Sequence, residues 1–351
     1  MPTPRGDGGP GAAPEQVVGS SGAMRHHPTP DPAPRARSGR PAPSALLAAA
    51  ASVVLALALA GCGVRLESSP PAPLTPTADE RVRAATVADV VAVRDLARAT
   101  LSDGGAKGAT AARLRAVVQH AGTQLTALGG VYDGPSPTTG PAATATPTAT
   151  GEPAVSAVVV RLRGASVTAR ERLADADDAH LARLVAQVGT GQALDADALA
   201  SAGHVKERAT TTAAKGPATL PAGARAGVAA TVVENEDAAG YLLEVVAARA
   251  HGAARSEAAA RAAVHRTRAQ DWADAAGVAG TDGDPRRTAY ALPAEAVART
   301  VESRLVTDYA ALLDTLEPRG RAQVADLLTD AARAAVAAGA PVTALPGGTP
   351  K

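Results

Sequence analysis

The chain predicts an all-α protein, and three observations carry that reading. Aromatic residues are almost absent, with no Phe, one Trp and four Tyr in 351 residues. Alanine, the best helix former, dominates the composition, and a core must therefore be built from Ala, Val and Leu. Apolar positions recur three and four residues apart over long stretches, the spacing of a helix face. The expected architecture is a ferritin-like four-helix bundle at the C-terminus, preceded by a second antiparallel helical half.

The elements follow in order. Residues 45–60, ALLAAAASVVLALALA, form an apolar run that closes in Leu59-Ala60-Gly61-Cys62, with Arg35, Arg37 and Arg40 upstream. This is the pattern of a bacterial lipoprotein signal, a basic segment, an apolar segment and small residues before the cut. The expectation is that residues 1–61 are removed and that Cys62, the only cysteine, carries diacylglycerol and palmitate. The run is shorter than the roughly 20 residues a spanning helix needs. Residues 62–78, with Pro70, Pro71, Pro73 and Pro76, read as a tether.

An N-terminal helical region is expected over 79–207. Val87, Val90, Val91, Val93 and Leu96 give its first helix, stopped at Asp103-Gly104-Gly105. Leu114, Val117, Val118, Leu125 and Leu128 give its second, ended by Gly129-Gly130. Residues 133–153 are Pro, Thr, Ala and Gly with almost no large apolar group, and are expected to be a disordered loop. Two helices follow, about Ala154–Ala174 and Asp177–Ala202, then a polar linker over 208–224.

Residues 225–348 carry the bundle. Its helices are expected at about Ala226–Ala250, Arg255–Ala276, from after Leu292-Pro293 to Glu317, and Arg321–Ala338, with a long second connection. Helices of this length joined short, long, short suggest a four-helix bundle.

Three of these helices turn a polar side chain toward the shared interior. Glu236 lies on the stripe of Val232, Val233 and Leu243; His265 and Trp272 are seven apart; Glu302 lies between Ala298 and Leu305, with Tyr309 seven further on. Buried carboxylates need compensation. The expected arrangement is a buried polar network of Glu236, His265, Arg268, Glu302 and Tyr309 that fixes helix register. The competing arrangement is a metal site made by Glu236, His265 and Glu302.

At these residues the chain resembles the actinobacterial ferritin-like lipoproteins of unknown function. The matching stretches are Glu236-Asp237-Ala238-Ala239-Gly240-Tyr241, His265-Arg266-Thr267-Arg268 with Asp271, Thr288-Ala289-Tyr290-Ala291-Leu292-Pro293, Glu302 to Tyr309, Asp330-Ala331-Ala332-Arg333 and the tail Ala340 to Gly347. The family's aromatic near Leu345 and its Trp near Ala337 are both replaced. A di-iron bundle wants a Glu on each of two helices and a Glu-x-x-His pair on each of the other two. Ala262 stands where the Glu before His265 is needed, and the last helix has Asp326 and Asp330 but no His. No cofactor is expected.

Elsewhere signals are weaker. His120 and His180 read as packing or surface residues, and Asp175, Asp177 and Asp178 as acids favoured by the following helix N-terminus. Beyond residue 61 the chain holds 30 basic and 31 acidic groups, which gives no general attraction to nucleic acid. The expected location is the extracytoplasmic face of the cell membrane. The expected role is a non-enzymatic envelope interaction or scaffold protein with an unspecified protein partner. A metal-binding oxidase or storage bundle and an apolar-ligand binder are the alternatives.

Overall fold

The computed structural model describes residues 75–104, 106–131, 154–206, 213–295 and 297–348. Cys62, the segment 1–61, most of the tether and the loop 133–153 lie outside the described residues. Every regular element among the described residues is helical, an all-α, ferritin-like helical fold.

The helices are α1 (Ala78–Ser102), α2 (Gly108–Ala127), α3 (Val155–Glu171), α4 (Ala179–Ala202), α5 (Ala226–Arg249), α6 (Gly252–Ala275), α7 (Val297–Leu313) and α8 (Pro318–Ala337). A 3-10 turn, Arg172–Ala174, extends α3. Their ends follow local chemistry. Thr77 and Glu80 form a reciprocal capping box on α1: the Thr77 amide donates to Glu80 Oε2 at 2.7 Å, and the Glu80 amide donates to Thr77 Oγ1 at 3.2 Å. Asp178 caps α4, accepting from the amides of His180 and Leu181.

The sequence leaves open whether the two halves pack together, and the structure brings them together. The largest core cluster joins Val82, Leu173, Leu181 and Val185 from the first half to Val232, Leu243, Trp272, Leu305 and Leu328 from the second. Two smaller clusters, around Leu114 and Leu162 and around Val90 and Leu125, fill the first half. Helix α4 supplies Val185, Leu199 and Val188 to the three clusters in turn. It is buried on every side from Val185 to Ala196, as a helix at the centre of a protein must be.

Two devices fasten the halves. Arg321 of α8, 2% exposed, donates to the carbonyls of Leu316, Leu173 and Ala176. The C-terminal strap, residues 340–348, lies against both halves. Gln124 donates to the Ala344 carbonyl at 3.0 Å, Gln187 to Pro346 at 3.1 Å and Arg183 to Gly347 at 3.1 Å. Gly191 admits this strap, since a Cβ there would collide with the Ala344 carbonyl. The segment 213–224 falls where the sequence suggests a polar linker but packs onto the C-terminal half. Gly216 and Pro217 are buried, and the Glu317 amide donates to the Ala222 carbonyl at 2.9 Å.

That last contact also explains a boundary. The sequence carries the third bundle helix on to Glu317, whereas α7 stops at Leu313. The Thr315 hydroxyl closes the last turn on the Leu312 carbonyl, and Glu317 turns to meet segment 213–224. Pro318 then opens α8 three residues earlier than Arg321, because its missing N–H is harmless in a first turn. Helix α6 likewise starts at Gly252 rather than Arg255.

Candidate functional site

The interior of the C-terminal bundle holds a chain of polar side chains drawn from four helices. Helix α5 supplies Glu236, α6 supplies Arg261, His265 and Arg268, α7 supplies Glu302 and Tyr309, and α8 supplies Asp330. The three α6 residues are four and three apart, so they share one face. Glycine brings α5 and α6 close: at Gly240 a Cβ would lie 2.8 Å from Arg266 Cδ.

His265 is the centre of the chain and is fully buried. Its Nδ1 lies 2.6 Å from Glu236 Oε2 and its Nε2 lies 3.0 Å from Glu302 Oε1. A carboxylate only accepts, so the ring that satisfies both contacts donates from both nitrogens and is an imidazolium. Burial pushes the His265 pKa down, but the charge and hydrogen bonds of Glu236 and Glu302 outweigh it and raise the pKa above the ordinary value. The other Glu236 oxygen accepts the Tyr309 hydroxyl. Burial first, and then the Glu236 charge, push the Tyr309 hydroxyl well above the ordinary tyrosine range.

Arg261 grips Glu302 with two nitrogens, Nε to Oε1 at 2.7 Å and Nη2 to Oε2 at 2.8 Å. Such paired contacts are the strong form of ion pair. Burial alone would raise the Glu302 carboxyl, but Arg261 and His265 hold it below the usual range. The remaining Arg261 nitrogen reaches Asp330 Oδ2 at 2.7 Å. Arg268 donates to the same Asp330 oxygen and, through Nε, to the Ala214 carbonyl at 2.8 Å. Asp330 is likewise lowered: burial opposes ionisation, and the two guanidinium groups overcome it. The network therefore balances three carboxylates against two guanidinium groups and one imidazolium.

Of the residues singled out from the sequence, Glu236, His265, Glu302 and Tyr309 are directly linked. Arg268 stands 3.9 Å from Glu236 and joins through Asp330. Its Nη1 and the Trp272 Nε1 are buried donors with no hydrogen-bond partner among the described residues. Arg261 and Asp330 are the members that sequence reasoning missed as network residues. The available signal was the four-residue step from Arg261 to His265, which puts a cation on the buried face of α6.

A second, outer cluster lies beside the first. Asp237 accepts from Arg266 and, at 2.8 Å, from the Tyr290 hydroxyl; Arg266 also grips Glu244 at 2.8 and 2.9 Å. Tyr290 stacks obliquely on Tyr241, ring centres 5.9 Å apart. These are the residues of the Glu236–Tyr241 and Thr288–Pro293 motifs. Two other histidines sit in separate pairs, His120 with Asp195 at 2.9 Å and His180 with Asp314 at 3.2 Å. Asp79 accepts from the amides of Asp177 and Asp178, and of that acidic group Asp178 serves the start of α4 as its cap.

A ferritin-like bundle raises the question of a metal at its centre. The donor set does not fit one. Both oxygens of Glu236 and both of Glu302 already accept from side chains. The two carboxylates lie at opposite nitrogens of His265, so they cannot converge with one nitrogen on a single ion. Arg261 adds fixed positive charge at the same place. Among the described residues, no group of three His, Cys, Asp or Glu side chains converges in a metal-holding arrangement.

Residues 228–350 match a family described as Domain of unknown function (DUF4439), a family that is ferritin-like in general. No curated protein and no solved structure matches the chain.

Proposed function

We propose that the protein is a lipid-anchored, non-enzymatic scaffold or interaction protein of the cell envelope, built on a ferritin-like bundle whose centre has become an ion-pair network. One observation carries this reading: every oxygen of Glu236 and Glu302 is committed to a side-chain donor of this chain. A bundle so filled spends its buried polar groups on fixing helix register, a role buried ionic groups are known to take in some proteins. The Leu-Ala-Gly-Cys62 sequence supports the anchor, and the resemblance to actinobacterial lipoproteins supports the envelope location. Among the described residues, no helix is long and apolar enough to cross a membrane. The experiment is metal analysis of the protein purified after growth with iron, manganese and zinc. The reading expects far less than one ion per chain. Stoichiometric iron or manganese lost in Glu302→Ala would overturn it in favour of an oxidase or storage protein.

A further inference from the structure

A cavity of about 740 Å3 lies beside the C-terminal strap, walled by α2, α4, α7, α8 and the strap itself. Its volume falls in the roughly 300–1,000 Å3 range of small-molecule sites. No member of the ion-pair network lines it. The walls are mainly apolar, with Leu194 from α4, Val306 from α7, Val336 from α8, and Val342 and Leu345 from the strap. The strap's carbonyls at Ala344, Pro346 and Gly347 are taken by Gln124, Gln187 and Arg183, so these backbone acceptors are not open to a ligand.

His120 of α2 is the one ionisable side chain among the lining residues. Its Nδ1 meets both oxygens of Asp195, at 2.9 and 3.0 Å, and the Asp195 side chain is only 6% exposed. A carboxylate only accepts, so Nδ1 donates and the buried acid fixes how the ring stands. The two ring nitrogens face nearly opposite ways, so Nε2 turns away from Asp195. It has no hydrogen-bond partner among the described residues, and the ring is 19% exposed. Such a cavity suits a molecule that is apolar along its length and carries one small polar head. A carboxylic acid suits Nε2 in either protonation state: it donates its proton to the bare nitrogen, or, having given it up, accepts from the imidazolium. An ester has no proton to donate, and an alcohol forms no ion pair. We propose that this cavity binds a long-chain fatty acid, with its chain along the apolar walls and its carboxyl group on His120 Nε2. The site goes beyond the scaffold reading and does not rest on it.

The test uses the full chain in membranes isolated from cells that produce it. The membranes are equilibrated with a palmitate analogue carrying a diazirine and an alkyne, then illuminated, and labelled peptides are mapped by mass spectrometry. Saturable labelling is expected on α7, α8 and strap peptides around Val306, Val336 and Val342, and unlabelled palmitate should suppress it. Methyl palmitate and hexadecanol should compete about tenfold less well. His120→Asn sets an amide nitrogen near the place of Nδ1, so Asp195 keeps a donor while Nε2 is lost. Labelling of that variant should fall about tenfold. Thr307→Trp, an exposed change at the cavity rim, leaves the fold intact and should block labelling. Absence of saturable labelling on these peptides overturns the proposal. So does equal competition by the methyl ester or the alcohol, or a His120→Asn protein labelled as strongly as the unaltered chain.

Discussion

His265 and Glu236 face each other at 2.6 Å with neither side chain exposed to solvent. The contact couples the stability of the bundle to pH, because the proton His265 carries there is part of the packing.

The folded protein raises the His265 pKa above its unfolded value of about 6.5. A raised basic group contributes stability that is fully present below the unfolded pKa and is lost as pH rises through the folded one. Glu302 and Asp330 are shifted down, so their contribution is present above the unfolded carboxyl values and lost as pH falls through the folded ones. The thermal midpoint is expected to decline on both sides of a plateau. His265→Gln should flatten the alkaline limb and, because His265 helps to hold Glu302 down, weaken the acid limb to a smaller extent. An alkaline limb that persists in that variant would place its origin elsewhere.

Glu236→Leu should cost about 3 kcal/mol, because it strands the His265 charge and the Tyr309 hydroxyl in the core. Glu236→Gln should cost less, since the amide oxygen still accepts one of the two donors. Urea denaturation of the two variants checks the order. Equal losses would mean that packing volume, not hydrogen bonding, sets the cost.

Arg321→Met should weaken the joint between the halves by about 2 to 3 kcal/mol, the worth of charged hydrogen bonds to carbonyls left unpaired. Because one core spans both halves, a single denaturation transition should shift as a whole. An unmoved midpoint would show that Arg321 does not join them, and two separated transitions would show that the shared core does not hold the halves as one unit without it.

Cys62→Ala should leave the precursor uncleaved and unlabelled by fatty-acid analogues, if the Leu-Ala-Gly-Cys62 pattern is a lipoprotein signal. Normal labelling and maturation of the variant would remove the anchor from the proposed function.

Helical periodicity is a local property, and it reaches the residues whose own helix dictates their side. Glu236, His265, Glu302 and Tyr309 are reached this way because apolar neighbours three, four and seven residues off mark a buried face. Arg261 is not, because its flanks, Ala260 and Ala262, give no contrast in an alanine-rich helix. Asp330 was visible as part of a family stretch and as a residue that fails to complete a metal site, and its role depends on two arginines 69 and 62 residues away. The packed segment 213–224 escaped for a related reason. Its contacts are backbone carbonyls meeting Arg268, Gln323 and the Glu317 amide, and backbone atoms leave no composition signal.

The C-terminal strap has a consequence for the order in which the protein is assembled. Gln124 waits for a carbonyl 220 residues further along the chain, and contacts so distant in sequence form late. The first half is made with Gln124, Gln187 and the groove at Gly191 open, and residues 344–346, made far later, close them. The N-terminal half thus registers whether the strap has been made. A chain cut short before residue 340 would keep its bundle helices and still leave that half unsealed.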